Sequence, residues 1–194
     1  MLYGFLKGIL PLFFRAIYRT EVHGQENVPK EGGVIVAANH ISLWDPPFLG
    51  AFCPRKVSFM AKKELFEHPV FSSLITRLGA FPVNRGAADR AAIKTALGVL
   101  AEGGCLGLFP EGTRSKTGKL GEAEAGIGLI AYKANVPIVP VAITGTNSKG
   151  LFPKFTIRFG KPIPAGDPKD KKLMTTLPTQ IMSEIQKLLD EQQS

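Results

Sequence analysis

Two hydrophobic patterns alternate along this chain, one typical of buried strands and one typical of amphipathic helices. Short runs of β-branched and other apolar residues, such as Val34–Ala38, stop at turn residues and predict strands. Longer segments with apolar residues three or four apart, such as Leu173–Glu191, predict helices. The predicted strands are Thr20–His23, Val34–Ala38, Val57–Ala61, Cys105–Phe109, Ile138–Ile143 and Phe155–Phe159, and the predicted helices are Pro46–Phe52, Leu65–Leu78, Ala87–Glu102, Ala123–Ala134 and Leu173–Glu191. This alternation predicts one α/β domain, residues 20–194, with a mixed central sheet flanked by helices.

The first 18 residues follow a different pattern. The five that are not clearly apolar, Gly4, Lys7, Gly8, Pro11 and Arg15, fall within an arc of roughly 100° on a helical wheel. A membrane-spanning helix needs about 20 mostly apolar residues, and this segment is shorter, with two charges and a proline. Residues 1–19 are therefore predicted to form an interfacial amphipathic helix, kinked at its proline, that associates with a membrane.

The expected membrane contacts of this helix combine apolar side chains in the lipid boundary with cations facing anionic headgroups. They are Leu2, Phe5, Lys7, Ile9, Phe13 and Arg15. The alternative, a helix packed on the protein's own core, stays open, because amphipathicity alone does not separate the two. The membrane interpretation places the protein on the cytoplasmic face, peripheral or monotopic.

The amino-acid composition indicates what kind of partner the protein binds. The 194 residues carry 24 Lys and Arg against 16 Asp and Glu, a net charge of +8, which favours an anionic partner. An anionic membrane surface, a phosphorylated substrate and nucleic acid all fit, although the basic residues lack the interleaved aromatics typical of nucleic-acid binding. Cys53 and Cys105 lie in apolar surroundings and indicate buried free thiols in a reducing compartment. The three histidines lack metal-ligand spacing, so no metal is expected.

The most specific chemistry lies in "NHISLWD", Asn39 to Asp45. His40 follows a predicted strand, and Asp45 precedes two prolines where a helix should begin, so a strand-to-helix turn can bring the carboxylate back to the imidazole. A histidine with one nitrogen held by a carboxylate presents the other as a general base. A structural histidine beside a capping aspartate is the alternative. No G-x-S-x-G nucleophile elbow is present, so Ser42 is not expected to be a nucleophile.

Two further segments carry groups suited to binding a phosphate monoester. "FPEGTRS" places Glu111, Gly112, Thr113 and Arg114 directly after a predicted strand. "GAFPVNR" ends a short apolar run at Arg85, which could meet the same anion. The alternatives are a solvated turn for the first segment and a surface ion pair for Arg85.

"NHISLWD", "GAFPVNR", "FPEGTRS" and "VPIVPVAI", in this order, resemble the PlsC-type 1-acyl-sn-glycerol-3-phosphate acyltransferases. The H-x4-D motif then implies that His40 deprotonates the acceptor hydroxyl and that Asp45 orients it. The resemblance further implies that Arg85, Glu111, Gly112, Thr113 and Arg114 bind the glycerol phosphate of the acceptor. It implies direct transfer, without an acyl-enzyme, from acyl-CoA or acyl-carrier protein as co-substrate, with no other cofactor. Asn84 stands where many family members have Asp.

The resemblance predicts an acyltransferase that makes phosphatidic acid in phospholipid synthesis, with residues 20–194 as the acyltransferase domain. Alternatives remain. One is an acyltransferase for glycerol 3-phosphate or another lysophospholipid, and a second is a hydrolase that passes the acyl group to water. A third, from another class, is a basic membrane-binding or nucleic-acid-binding protein without catalysis.

Overall fold

The computed structural model describes residues 2–84, 89–148 and 150–191, a single α/β domain with a seven-stranded mixed sheet flanked by helices. The strands are β1 Arg19–His23, β2 Val34–Ala38, β3 Val57–Lys62, β4 Ala80–Val83, β5 Cys105–Leu108, β6 Ile138–Thr144 and β7 Lys154–Phe159. The α-helices are α1 Leu2–Ile17, α2 Asp45–Phe52, α3 Pro69–Arg77, α4 Arg90–Ala101, α5 Ala125–Ala134 and α6 Leu173–Asp190, and short 3₁₀ turns cover Gln25–Asn27 and Lys63–Phe66.

The strand order is β1-β7-β6-β2-β5-β3-β4, and every neighbouring pair is parallel except β6 with β7. The mixed sheet of the sequence prediction is therefore confirmed. Strand β2 is buried along its whole length between β5 and β6. Its carboxyl end opens onto the same edge of the sheet as the ends of those two strands, where ligands of parallel α/β sheets commonly bind.

Two predicted elements differ in the structure. The single helix predicted over Leu65–Leu78 is a 3₁₀ turn followed by α3, because Pro69 forces His68 into an extended conformation (φ −86°, ψ 113°) that interrupts a helix. The apolar run before Arg85 is strand β4, which the pattern did not predict as a strand. It lies at the edge of the sheet, where Pro82 costs little because one side of the strand needs no partner.

The sheet separates two apolar cores. One core packs β2 residues such as Val34 and Val36 against α1 and α2. The other packs Ile35 and Ala37 against α4, α5 and α6. Successive side chains of β2 thus point to opposite layers, as the strand period requires.

Helix α1 packs on α2, with Phe14 fully buried in the first core, and it continues through Pro11. Three of its apolar side chains, Phe5, Ile9 and Leu12, are exposed along one stripe at spacings of four and three residues, and Ile17 is exposed away from that stripe. The apolar circumference of the helix is thus divided between the protein core and solvent. Within the described ranges, no helix combines the length and apolar character needed to cross a bilayer.

Candidate active site

The turn between β2 and α2 brings His40 and Asp45 into contact. His40 follows the end of β2, and Asp45 is the first residue of α2. The imidazole Nδ1 lies 2.8 Å from Asp45 Oδ2, so the contact expected from the H-x4-D spacing is present. Because Nδ1 is engaged, Nε2 is the nitrogen left to exchange a proton with a substrate.

Four hydrogen bonds hold the Asp45 carboxylate, which is fully buried. Besides the imidazole, Oδ2 accepts from the backbone amides of Ile41 and Ser42, each at 2.7 Å. The other oxygen, Oδ1, accepts from the hydroxyl of Thr146 at 2.5 Å. These four donors fix the carboxylate in one position, and a fixed carboxylate sets the orientation of the imidazole that it contacts.

His40 itself is fixed on several sides. Its amide donates to Glu111 Oε1 at 2.9 Å, and its carbonyl accepts from the Ser115 amide at 2.8 Å. The ring stacks on Phe109 with centroids 4.2 Å apart, and the residue is 7% exposed. The imidazole is therefore held in one orientation with a narrow opening towards solvent.

The loop "FPEGTRS" runs beside His40. Both carboxylate oxygens of the buried Glu111 are occupied, one by the His40 amide and the other by the Gly121 amide at 3.0 Å. Gly112 has φ 65°, and a Cβ added there would lie 2.7 Å from Glu124 Cγ, so only glycine fits this turn. Glu111 thus joins the loop to the β2–α2 turn.

Thr113 and Arg114 are exposed on this loop, next to the Ser115 amide that bonds His40. The Arg114 guanidinium makes no ion pair with the carboxylates of the described ranges. A cation on the loop that bonds the His40 backbone is thereby available to an anionic ligand. Arg85, the other predicted phosphate contact, lies outside the described residues.

An apolar cavity of about 590 Å³ opens beside the His40–Asp45 turn, a volume typical of ligand pockets. Its walls are residues of α1, the start of α2, β3 and α3, including Leu10, Trp44, Phe59 and Phe71. Phe59 stacks on Phe109, with centroids 6.2 Å apart, and Phe109 stacks on His40. Two stacked rings, Phe59 and Phe109, thus connect the cavity wall to the imidazole.

Sequence reasoning did not find Thr146, Asn39 or Phe109. Asn39 pairs with the backbone of Ile143 through two hydrogen bonds, Nδ2 to the carbonyl at 2.9 Å and the amide to Oδ1 at 2.7 Å. This pairing aligns the ends of β2 and β6, and so brings Thr146 to Asp45. A threonine just after a predicted strand was the available signal, but it has meaning only once the strand order is known.

The six side chains expected to contact a membrane occupy different environments. Phe5 and Ile9 are exposed, and Arg15 is exposed with its guanidinium 5.8 Å from the centre of the Phe52 ring. Phe13 is half-buried against Trp44, with ring centroids 6.2 Å apart. The side chain of Leu2 lies outside the described part of the structure.

Lys7 is placed differently from the expectation that it faces headgroups. Its ammonium donates to the carbonyls of Gly50 and Ala51, at 2.9 and 3.1 Å, and to that of Cys53, at the end of α2. This position stabilises a helix C-terminus. Burial lowers the pKa of Lys7. In this structure Lys7 therefore ties α1 to α2.

Among the described residues, no group of three or more His, Cys, Asp or Glu side chains is arranged to hold a metal ion. Cys53 and Cys105 are buried free thiols. The polar groups of the site are those of acid–base chemistry and anion binding.

Comparisons with known proteins agree with this arrangement. A family model described as Acyltransferase matches residues 19–144. The chain is 34% identical to a 1-acyl-sn-glycerol-3-phosphate acyltransferase of Streptococcus pneumoniae, over 98% of this chain and 74% of that protein. It is 32% identical to the protein of that name from Bacillus subtilis, over 98% of this chain and 100% of that one.

A similar fold is found in the crystal structure of the 1-acyl-sn-glycerophosphate acyltransferase PlsC from Thermotoga maritima. The TM-score is 0.77 at 29% identity, over 96% of this chain and 79% of that one. The chain belongs to the acyltransferase family. It is a transferase of phospholipid biosynthesis, as the sequence motifs indicated.

Proposed function

We propose that this enzyme transfers a fatty acyl group from acyl-CoA or acyl-carrier protein to the free hydroxyl of 1-acylglycerol 3-phosphate, giving phosphatidic acid. The observation that carries the proposal is the position of the His40–Asp45 pair, with Nδ1 engaged by the carboxylate, beside an apolar cavity of about 590 Å³. The relatives named 1-acyl-sn-glycerol-3-phosphate acyltransferase support the choice of acceptor.

The proposed reaction is one direct displacement. Nε2 of His40 takes the proton of the acceptor hydroxyl as its oxygen attacks the thioester carbonyl. The carbon–sulfur bond then breaks, and the leaving thiolate takes up the proton from the imidazolium. Asp45 stabilises that imidazolium. Ser42 is assigned no part in this reaction, because no G-x-S-x-G elbow surrounds it, and no acyl-enzyme forms.

The binding roles follow the surroundings of His40. The acyl chain being transferred lies in the apolar cavity, where burial of each CH₂ contributes about 0.8 kcal/mol. Arg114, with Thr113, the backbone near Gly112, and Arg85, receives the acceptor phosphate. Glu111 contributes by holding the loop against the His40 backbone, since its carboxylate accepts from the amides of His40 and Gly121.

The enzyme works at the cytoplasmic face of a membrane, as a peripheral or monotopic protein. The support for this part is the exposed stripe Phe5, Ile9 and Leu12 on α1, with Arg15 beside it. An interfacial helix of this kind would bring the cavity, which α1 partly walls, to the lipid that supplies the acceptor.

The decisive experiment measures release of free thiol from acyl-CoA, and then from acyl-carrier protein, with lysophosphatidic acid in mixed micelles. The wild type should need acceptor. His40→Ala should lose at least about 10²- to 10⁴-fold in rate, the usual contribution of general-base catalysis. Ser42→Ala is the control in the same turn and should retain most activity.

Other results would contradict parts of this proposal. Thiol release without acceptor would indicate a thioesterase. Faster turnover of glycerol 3-phosphate or another lysophospholipid would mean that this other molecule, and not 1-acylglycerol 3-phosphate, is the acceptor. A wild-type rate in His40→Ala would leave His40 a structural residue.

A further inference from the structure

The loop between β6 and β7 carries the most exposed large apolar side chain in the described part of the protein. Leu151 is 89% exposed, and the next residue, Phe152, is 59% exposed. Neither side chain joins one of the two cores. Single exposed hydrophobic residues are normal on protein surfaces, whereas adjacent large ones at a loop tip indicate an interaction.

The backbone at Phe152 strengthens this interpretation. Its φ is 53°, in the left-handed region that aromatic residues seldom adopt. Glycine would occupy that conformation without strain. A bulky ring is therefore held outward where a glycine would suit the fold better, which points to a role for the ring outside the folded core.

The loop lies on the catalytic edge of the sheet, next to α1. Thr146, at its start, bonds Asp45, and the carbonyl of Pro153, at its end, accepts from the Arg19 amide just after α1 at 3.3 Å. Tyr18 stacks on Phe155 with centroids 4.0 Å apart and contacts Trp44 at 6.5 Å. Trp44 lines the apolar cavity. Ring contacts thus run from Phe155, two residues beyond the end of this loop, through Tyr18 to Trp44 at the cavity.

Basic residues lie on the elements next to the pair. Arg19 and Lys154 flank it along the neighbouring strands, and Lys154 is paired with Glu21 at 2.9 Å. The loop containing Gly118 lies close to Asn147, at the start of the β6–β7 loop, and carries the exposed Lys116 and Lys119. Apolar side chains bordered by cations match the boundary between anionic headgroups and acyl chains.

We propose that Leu151 and Phe152 form a second membrane contact, inserting into the surface of an anionic phospholipid bilayer. This inference rests on the proposed function in assuming that α1 also lies at that surface. Helix α1 and residues 151–152 reach the catalytic edge from different parts of the chain. Contact at both places fixes the rotation of the domain, so that the opening beside His40 faces the lipid.

The test is sedimentation of the full chain with vesicles of equal parts phosphatidylcholine and phosphatidylglycerol, comparing wild type with Leu151→Ser/Phe152→Gly. The partition coefficient should fall about ten-fold, because two large apolar side chains are lost from the interface. The melting temperature should stay the same or rise, since glycine relieves the left-handed backbone. Asn147→Ser/Ser148→Gly introduces the same residue types into the same loop and should bind like the wild type.

Activity provides a second readout. The double variant should retain wild-type turnover with water-soluble short-chain substrates and lose turnover only with acceptor embedded in vesicles. Unchanged vesicle binding would overturn the inference. A changed molecular mass in solution with unchanged vesicle binding would also overturn it, and would assign the pair to a second copy of the chain.

The two proposals fail in different ways. If the wild type transfers no acyl group, the proposed function is wrong, and sedimentation still reports on residues 151–152. If the wild type is active but neither binds vesicles nor prefers embedded acceptor, acyl transfer stands, and both the membrane contact of α1 and that of residues 151–152 are wrong.

Discussion

The two helical layers of this protein treat their apolar residues differently. In the layer formed by α4, α5 and α6, the large apolar side chains are buried or half-buried, as with Leu177, Ile181 and Ile185 of α6. In the described structure, the large exposed ones lie instead on α1, the His40–Asp45 turn, residues 65–74 and the β6–β7 loop. The first layer exposes no large apolar side chain in the described structure. The second exposes several of them around the catalytic edge. The side chains of both proposed membrane contacts, on α1 and on the β6–β7 loop, are among these exposed ones.

Truncating one apolar side chain in each layer would test this comparison most directly. Ile181→Ala should cost about 2–5 kcal/mol of unfolding free energy, because it leaves a cavity in a close-packed core. Leu12→Ser should change that free energy by no more than about 0.5 kcal/mol, since Leu12 is exposed, but should weaken vesicle binding. Chemical denaturation and vesicle sedimentation measure the two effects. A large loss of stability in Leu12→Ser would mean that α1 is an ordinary packed helix.

Two features beside His40 can be compared in the same way: the apolar cavity and the loop that carries Arg114. Arg114→Ala should raise the acceptor KM about ten- to a hundred-fold, because a charge-assisted hydrogen bond contributes about 1.5–3 kcal/mol. Steady-state kinetics with lysophosphatidic acid measures this, and Lys94→Ala, an exposed cation on α4, is the control. A lower kcat with unchanged KM would contradict the phosphate assignment.

Filling the cavity should change which acyl chains are used. Ala80 lies in its wall, so Ala80→Leu should lower kcat/KM several-fold for long-chain donors and less for short ones. Ala91→Leu, at an exposed position of α4, should leave the chain-length profile unchanged. Parallel rate losses for all chain lengths in Ala80→Leu would place the acyl chain elsewhere.

The smallest effect is expected from a substitution in the layer formed by α4, α5 and α6. Asp89 caps α4 by accepting from the Ala92 amide, and it also accepts from the Asn84 amide, and these hydrogen bonds lower its pKa. Because the folded pKa lies below the unfolded value of about 3.9, its contribution is present above that pH and is lost as the pH falls through the folded pKa. Asp89→Ala should therefore lower the melting temperature slightly at pH 7. A difference that stays constant down to the lowest pH would contradict this linkage.

Local sequence patterns predicted the features that depend on residues close together in the chain. The alternation of apolar segments predicted the layered architecture, and the H-x4-D spacing predicted the contact of His40 with Asp45. The prediction missed β4, because four residues that include a proline form a strand only when another strand is beside them. It also assumed that Lys7 faces headgroups, since a helical wheel does not show that α2 ends beside it.

The rest of the site depends on strand order. Asp45 meets Thr146 only because β6 lies next to β2, and a chain in which these segments are a hundred residues apart gives no sign of that pairing. Glu111 was predicted to bind substrate, which stays a prediction, and the structure adds hydrogen bonds to the backbone amides of His40 and Gly121. Backbone groups carry no sequence signal, so such positioning contacts appear only in three dimensions.

The hydrogen bond between Thr146 and Asp45 has a consequence for folding. It joins residues separated by 101 positions, so the carboxylate gains its full set of partners only after β6 has docked on β2. Contacts of such high sequence separation form late, because the entropy cost of closing the intervening loop comes before the contacts provide any stabilisation. Recovery of activity during refolding should therefore lag behind the recovery of helical signal, and enzymatic turnover would report the arrival of the second half of the sheet.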